Sequence, residues 1–207
     1  MKAVVNNIHG HYIIAMKPRR WDIVLYELAE SQVGYFTTAQ ASDAGLHPVR
    51  LVQLERSGDI ERVSRGVYRL TRYPLSPFGQ YMEASLWPQV RRPDVRGTIS
   101  YESALALYNI SNVNPSKVHI TLPPEMRIRR KPPAQLVLHY AHLDPGDIQI
   151  VEGIPVTTAE RTIRDVHSAH LGSELVQQSV EDARRTGYLS RDQAKQLARE
   201  LLDGKKS

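Results

Sequence analysis

The sequence of 207 residues predicts an α+β fold, on the basis of three observations. Two short, capped helical segments lie in the N-terminal third. A two-stranded ribbon follows them directly. Further along the chain, segments with the alternating pattern of strands come first and three helical segments come last, which is the order typical of an α+β domain.

The N-terminal part is predicted to begin with three helices. Apolar residues recur at i, i+3 and i+4 over residues 19–30, as in an amphipathic helix. Thr37 opens a T-x-x-Q capping box that begins a second, short helix, and Gly45 is the glycine expected just after its C-terminus. His47 and Pro48 then provide the cap and the first residue of a third helix, where the missing N–H of proline costs nothing.

The third helix is predicted to have one buried face and one exposed face. Leu51 and Leu54 share the apolar face. Gln53 and Arg56 lie on the opposite face, with Arg50 at its edge. Arginine and glutamine form bidentate hydrogen bonds with base edges, so this exposed face has the composition expected of a DNA-contacting helix.

A ribbon with an arginine at its tip is predicted after the third helix. The strand-like segments DIERV and GVYRL are joined by Ser64-Arg65-Gly66, and Tyr35-Phe36 is expected to add a short strand. Helices followed by such a hairpin outline a winged helix-turn-helix, for which DNA is the expected ligand and a protein partner the alternative. The candidate DNA-binding residues are His47, Arg50, Gln53, Arg56, Arg62 and Arg65.

The composition indicates a soluble protein and is compatible with, but does not prove, a nucleic-acid partner. The chain has 27 Lys+Arg and 22 Asp+Glu, a net charge of +5 and a pI near 9.5, which is compatible with nucleic-acid binding. The absence of cysteine excludes disulfides, thiol catalysis and cysteine-bound zinc. No apolar run reaches the ~20 residues of a membrane span, so a cytoplasmic protein with no membrane partner is expected.

The domain boundaries are predicted from prolines and from changes of pattern. Residues 1–18 lack the apolar core of a signal peptide and form an extension of uncertain status, with translation starting at Met1 or at Met16. A proline-bracketed turn then separates a winged helix-turn-helix domain at residues 19–73 from a second domain at residues 74–207.

The second domain is predicted to be α+β, with a small sheet followed by three terminal helices. Ser100 is expected to cap a helix that precedes most of the sheet. The segments with a strand pattern are KVHITL, MRIRRK, QLVLHY and IQIVEGIPVT. The terminal helices are expected over residues 158–168, 174–186 and 191–202, the last two capped by Ser173 and Ser190.

The segment PVTTAERTIRD resembles a polar active-site cluster but also has a structural explanation. Thr157 and Glu160 have the spacing of a capping box. Glu160 with Arg164, and Arg161 with Asp165, have the i, i+4 spacing of helical ion pairs. Both interpretations stay open from the sequence alone.

Two histidine pairs have the spacing of metal ligands, His139-x-x-His142 and His167-x-x-His170. The sequence has no cysteine and no H-E-x-x-H motif, so no metal is predicted. It also has none of the standard phosphate-binding, kinase or hydrolase motifs.

A basic run lies in the second domain and includes Arg127, Arg129, Arg130 and Lys131, with Lys117 upstream. Three interpretations are open for it. The first is that these charges protect an exposed strand edge against aggregation. The second is that they contact phosphate groups, and the third is that they contact an acidic protein partner.

Four segments occur in the order GYFTTAQASDAG, RSGDIERVSRGVYRL, TISYESALALYNISNVNPSKVHITLP and EGIPVTTAERTIRDV. Together they resemble the AbiEi-family antitoxins of bacterial type IV toxin–antitoxin pairs, from Trp21 to the region of Asp182. The resemblance implies an N-terminal winged domain that binds inverted repeats in promoter DNA and represses its own operon. It also implies a C-terminal domain that neutralises a cognate nucleotidyltransferase-fold toxin, with or without a stable complex.

The resemblance assigns DNA binding to residues 47–56 and 62–69, and antitoxin activity to SYESAL and PVTTAERTIRD. The partner-binding candidates are Lys117, Arg127, Arg129, Arg130, Arg161 and Asp165. No cofactor is predicted for this function.

A first alternative is an atypical protein kinase that phosphorylates the toxin and therefore needs ATP and magnesium. Its candidate catalytic residues are Lys117, Glu160, Arg161 and Asp165. A second alternative is a winged-helix transcription regulator with an effector-binding domain.

Overall fold

The computed structural model describes residues 20–203, which form a mixed α+β fold with two sheets. The predictions for residues 1–18, including the choice between Met1 and Met16, lie outside the described residues. Within residues 20–203, none of the helices combines the length and apolar character needed to cross a membrane.

The first part of the chain contains three helices and a three-stranded antiparallel sheet. Its elements are α1 (Arg20–Glu30), β1 (Tyr35–Thr37), α2 (Thr38–Asp43), α3 (Pro48–Arg56), β2 (Ile60–Ser64) and β3 (Val67–Leu70). The strand order is β1-β3-β2. Phe36 pairs with Tyr68, which confirms the short strand predicted at Tyr35-Phe36.

The predicted helix caps of this part are confirmed. The Thr37 hydroxyl accepts from the backbone N–H of Gln40 at 3.2 Å, and the Gln40 Oε1 accepts from the backbone N–H of Thr37 at 2.9 Å. His47 Nδ1 accepts from the Val49 N–H at 3.3 Å, and the next residue is a proline. Gly45, after α2, has a φ of +87°, a conformation that favours glycine.

The second part combines a five-stranded mixed sheet with one helix before its first strand, one between its first two strands and three after its last strand. Its helices are α4 (Gly79–Leu86), α5 (Tyr101–Tyr108), α6 (Ala159–Ser168), α7 (Ser173–Arg185) and α8 (Arg191–Ala198). Its strands are β4 (Thr98–Ile99), β5 (Val118–Leu122), β6 (Leu136–Tyr140), β7 (Ile148–Val151) and β8 (Ile154–Thr157). The strand order is β6-β5-β4-β8-β7, with β5–β6 and β4–β8 parallel.

The prediction of a strand at MRIRRK is wrong. A 3-10 turn, Pro124–Met126, begins just before this segment, and residues 127–135 contain no strand. Pairs of prolines lie on both sides of it, at residues 123–124 and 132–133. Proline has no N–H to donate to a neighbouring strand, so the segment crosses from β5 to β6 as a loop.

Two predicted serine caps in the second part also differ from the structure. Ser173 is the first residue of α7 rather than its cap, a position that Gly172 occupies. Ser100 is at the N-cap of α5, but its hydroxyl makes no capping hydrogen bond. It accepts instead from the Thr121 hydroxyl at 2.8 Å, because Ser100 is buried next to β5. The capping box predicted at Ser190 is confirmed.

The three-stranded sheet lies between two hydrophobic cores. Phe36 and Tyr68 belong to a first core together with residues of α1 and α3. Their strand neighbours Tyr35 and Val67 belong to the second core, which contains the interior of the five-stranded sheet. The boundary at residue 73 therefore stays a prediction, and packing across the sheet connects the two parts.

The turn between β7 and β8 contacts the loop after α1. Gly153 in this turn has a φ of +75°, and a Cβ added there would lie 2.2 Å from the carbonyl oxygen of Ser31. The backbone approach is therefore too close for any side chain. Gly187 has a similar φ of +84° but no neighbouring atom within 4 Å of such a Cβ.

We expect Gly153→Ala to destabilise the fold more than Gly187→Ala. Both substitutions place a side chain in the left-handed region, which costs ~1–2 kcal/mol. At Gly153 the added methyl also collides with a backbone oxygen that a side-chain rotation cannot move, so we expect a further loss of about the same size. Thermal unfolding of the two purified variants measures the difference, and equal melting temperatures would contradict the predicted contact.

Candidate nucleic-acid interface and a second polar site

Helix α3 presents the faces that the sequence predicts. Leu51 and Leu54 are each 2% exposed and pack into the first core. Gln53 and Arg56 are exposed on the opposite side, together with Val49, which is 57% exposed. The helix therefore leaves polar groups and an apolar side chain accessible to a ligand.

Arg50 lies at the edge of the exposed face and is half-buried. Its guanidinium carbon lies 4.9 Å from the centroid of the Trp21 ring, on α1. Its Nη1 donates to Gln53 Oε1 at 2.7 Å. Arg50 thus connects α1 to an exposed side chain of α3.

The tip of the β2–β3 hairpin is held in place from two sides. The Gly66 carbonyl accepts from the Thr38 backbone N–H at 2.9 Å and from the Thr38 hydroxyl at 3.3 Å. A Cβ added at Gly66 would lie 2.4 Å from Cγ1 of Val90, in the 3-10 turn after α4. Arg65 at the tip and Arg62 on β2 are both exposed, so the two predicted arginines project from a fixed hairpin.

A basic groove joins this hairpin tip to the second part of the chain. We define the basic groove as the cavity of about 700 Å³ that lies between Arg65, residues 87–92 and residues 126–133. Its basic side chains are Arg65, Arg91, Arg92, Arg127, Arg129, Arg130 and Lys131. No aspartate or glutamate occurs among the described residues that line it. The basic run and the hairpin arginine, which are far apart in the chain, therefore form one surface.

Arg130 anchors the basic run to the second core. Its guanidinium lies over the Trp87 ring at 3.9 Å from the centroid, and its Nη2 donates to the Trp87 carbonyl at 2.5 Å. Burial lowers the pKa of Arg130, and the positive charges of Arg91 and Arg65 lower it further. Because several positive side chains lie close together in the basic groove, a bound anion would stabilise it.

The capping box predicted at the start of α6 is wrong. Thr158 is the N-cap, and its hydroxyl accepts from the Arg161 backbone N–H at 3.4 Å. Thr157 is the last residue of β8 and is fully buried, with its Oγ1 2.7 Å from that of Thr162. The strand continues one residue further than the T-x-x-E pattern suggests, which shifts the cap by one position.

Arg161 is held by two carboxylates. Its Nε donates to Asp165 at 2.8 Å, which confirms the predicted i, i+4 pair, and its Nη1 donates to Asp147 at 2.5 Å. The same Nη1 lies 3.3 Å from the His142 carbonyl oxygen. Burial lowers the pKa of Arg161, but the hydrogen bonds and charges of the two aspartates outweigh it and raise the pKa.

The remaining catalytic candidates, Glu160 and Lys117, take no part in the ion pairs of Arg161. Glu160 pairs with Arg164 at 2.9 Å, as predicted, and Arg164 also pairs with Glu200 beyond α8. Lys117 lies just before β5 and is exposed. The structure therefore brings Arg161 and Asp165 together, whereas Glu160 belongs to a separate ion-pair group.

A cluster of aromatic and titratable side chains was not predicted from the sequence. We define the histidine–tyrosine cluster as Tyr101, Glu102, His119 and His139. His119 Nδ1 lies 3.1 Å from His139 Nε2 and 3.2 Å from Glu102 Oε2. The Tyr101 ring stacks on His139 with centroids 3.8 Å apart, and Tyr101 has an unusual φ of +50°.

The register of two parallel strands explains this cluster. Thr121 of β5 is opposite His139 of β6, so His119, two residues earlier, is on the same face of the sheet as His139. The alternation in HITL and LVLHY indicates on which face of its own strand each histidine lies. The register that aligns the two strands is not visible in the sequence. Within residues 20–203, no three histidine or acidic side chains are grouped so that they could hold a metal ion.

We expect His139 to make the fold less stable as the pH falls from ~6.5 to ~4. Burial and, to a lesser extent, the charge of neighbouring His119 lower the pKa of His139 to about 4, whereas an unfolded histidine has a pKa of ~6.5. Between these values the unfolded chain binds more protons, so acid favours unfolding. Circular dichroism melts across this interval should show a steeper loss of Tm for the wild type than for His139→Gln. Parallel pH profiles would contradict the assignment.

The comparison with protein families gives a match in the first part of the chain. Residues 24–71 match the family described as "Transcriptional regulator, AbiEi antitoxin". The match runs from α1 to the end of β3 and confirms the resemblance for this segment. The likeness of the remaining segments to the same family stays a prediction.

Among solved structures, the comparison gives the "Crystal structure of RV2827C protein from Mycobacterium tuberculosis". It is 18% identical in sequence, with a TM-score of 0.48 over 90% of this chain and 78% of that chain. No curated protein matches the chain.

Proposed function

We propose that this protein is an antitoxin that represses its own operon by binding promoter DNA and neutralises a nucleotidyltransferase-fold toxin. The exposed polar face of α3, next to an arginine-tipped hairpin and the basic groove, is the observation that carries the DNA-binding part. The match of residues 24–71 to a family of transcriptional regulators supports it.

In this proposal the first part of the chain is a winged helix-turn-helix. Helices α2 and α3 form the helix-turn-helix pair, α3 enters the major groove, and the β2–β3 hairpin is the wing. Gln53 and Arg56 face the bases because the two leucines on the other side of α3 are buried. Arg65, at the wing tip, contacts a phosphate or the minor groove.

The basic groove extends the same interface along the DNA backbone. It begins at Arg65 and continues through the basic run that contains Arg127 and Arg129. Each phosphate neutralised by such a side chain releases counterions, which gives binding that weakens steeply with salt. Of the interpretations open for the basic run, its continuity with the hairpin tip favours phosphate contact.

Two double variants separate the base-contacting role from the phosphate-contacting role. Gln53→Ala/Arg56→Ala should reduce the preference for the operator over a scrambled duplex, with a loss of ~1–3 kcal/mol per base contact. Arg65→Ala/Arg129→Ala should weaken binding to both duplexes and lower the salt slope by ~0.9 per lost phosphate contact. Fluorescence anisotropy on both duplexes at several salt concentrations measures these effects.

Arg72→Ala is the matched control, because the Arg72 side chain is 92% exposed and lies outside the proposed interface. Its binding curves should coincide with those of the wild type. Operator binding that neither double variant changes would overturn the proposed interface.

The antitoxin part of the proposal concerns the histidine–tyrosine cluster and Lys117 beside it. The two segments that the resemblance assigns to antitoxin activity meet here, because α5 packs against α6. Arg161 itself holds α6 to the turn before β7 through Asp147. We therefore assign Arg161 and Asp165 a positioning role, and toxin contact to the accessible Lys117 and its neighbours.

The kinase alternative needs cations that are free to bind nucleotide phosphates. In α6, Arg161 is bonded to two aspartates and Arg164 to two glutamates. These pairs neutralise the positive charge of both arginines. The arrangement favours neutralisation by binding over phosphotransfer by this helix.

We expect Lys117→Glu to impair rescue of cells from the toxin without changing the melting temperature. Lys117 is exposed, and surface substitutions change stability by only ~0.5 kcal/mol. Lys195→Glu on α8 is the control, since it makes the same charge change at another exposed position. Co-expression with the toxin measures rescue, and full rescue by Lys117→Glu would show that this surface does not contact the toxin.

A phosphate-sized mass increase of the toxin after incubation with ATP would favour the kinase alternative.

A further inference from the structure

Three side chains from two helices form a chain that leads to the proposed DNA-contacting face. Trp21 of α1 packs against the first core, and Arg50 of α3 lies over its ring. Arg50 Nη1 donates to Gln53 Oε1 at 2.7 Å. The Nε of Arg50 is buried and makes no hydrogen bond within the described residues, so the Trp21 ring and the Gln53 amide hold the guanidinium.

This contact determines which way the Gln53 amide faces. An arginine side chain has five N–H donors and no acceptor, so the amide atom next to it must be the oxygen. The Gln53 NH₂ group is then directed away from Arg50. Because Gln53 is exposed, its two N–H donors are available to a ligand, while its oxygen is held towards Arg50.

The orientation matters because guanine and adenine present different groups in the major groove. Glutamine recognises adenine by donating to N7 and accepting from the N6 amino group, so it needs its oxygen. Guanine presents only acceptors, N7 and O6, and is recognised by side chains that donate. A glutamine whose oxygen is bonded to an arginine offers the donors that guanine needs.

We propose that Arg50 sets the base preference of α3 by fixing Gln53, so that the protein favours guanine over adenine at the base pair that Gln53 contacts. The inference rests on the proposed DNA-binding function and names the base that it selects. Arg50 is a positioning residue in this arrangement, and Trp21 fixes its guanidinium from α1. The direct contact to DNA is made by Gln53.

The test is selection from a randomised duplex library by the full-length protein, followed by sequencing. The wild type should enrich guanine over adenine at one position of the half-site by about tenfold, at the lower end of the discrimination that a good base-edge contact gives. Arg50→Met removes the donor but keeps an apolar stem over Trp21. It frees the Gln53 oxygen, and the preference at that position should change from guanine to adenine.

Two further variants test the assignment. Gln53→Glu keeps an oxygen next to Arg50 but loses both N–H donors, so the enrichment of guanine should be lost at that position and kept elsewhere. Arg72→Met is the control for removing an exposed arginine, and it should select the wild-type sequence. Melting curves of all variants establish that differences in selection do not come from unfolding.

The outcomes separate this inference from the function on which it rests. If the wild type enriches a sequence but Arg50→Met selects the same base at every position, the role of Arg50 is wrong and DNA binding stands. If the wild type enriches adenine at the base pair that Gln53 contacts, the role of Arg50 is likewise wrong and DNA binding stands. If the wild type binds no duplex at all, the proposed function and this inference fall together.

Discussion

The structure depends on a small sheet that is covered on both faces. Alternate residues of a strand point to opposite sides, and in β1 and β3 both sides carry buried apolar residues. Phe36 and Tyr68 pack towards α1 and α3, whereas Tyr35 and Val67 pack towards the second core. Both faces of β1 and β3 therefore carry buried apolar residues, and hydrophobic packing on the two sides fixes the two parts of the chain relative to one another.

This constraint gives the proposed DNA interface its shape. The hairpin that extends from the shared sheet is bonded to Thr38 on one side and touches Val90 on the other. Arg65 therefore lies beside the basic run rather than at the end of a free loop. A flexible wing would contact phosphates one at a time, whereas a fixed wing next to the basic groove offers one continuous positive surface.

Charge is organised differently in the basic groove and in α6. In the basic groove, burial and the nearby charges of Arg91 and Arg65 lower the pKa of Arg130, and no carboxylate among the described lining residues balances these charges. In α6, each arginine is bonded to two carboxylates, which neutralise its positive charge within the fold. The first arrangement is suited to binding a polyanion, and the second stabilises the attachment of α6 to its neighbours.

The sequence by itself determined the local features of this protein. The caps at Thr37 and His47, the turn at Gly45 and the buried leucines of α3 all depend on interactions within a few residues of each other, so their spacing predicts them. The i, i+4 pair of Arg161 and Asp165 was predictable for the same reason. The resemblance to a regulator family in residues 24–71 also came from such local segments and was confirmed.

Only the tertiary structure decided which distant residues meet. The approach of Arg65 to Arg130 depends on packing across the shared sheet, and the contact of His119 with His139 depends on the register of two parallel strands. Thr157 failed as a cap because burial at the end of β8 outweighed the local pattern. Such contacts join residues that are far apart in the chain, and their free energy comes from burial and register that no local spacing encodes.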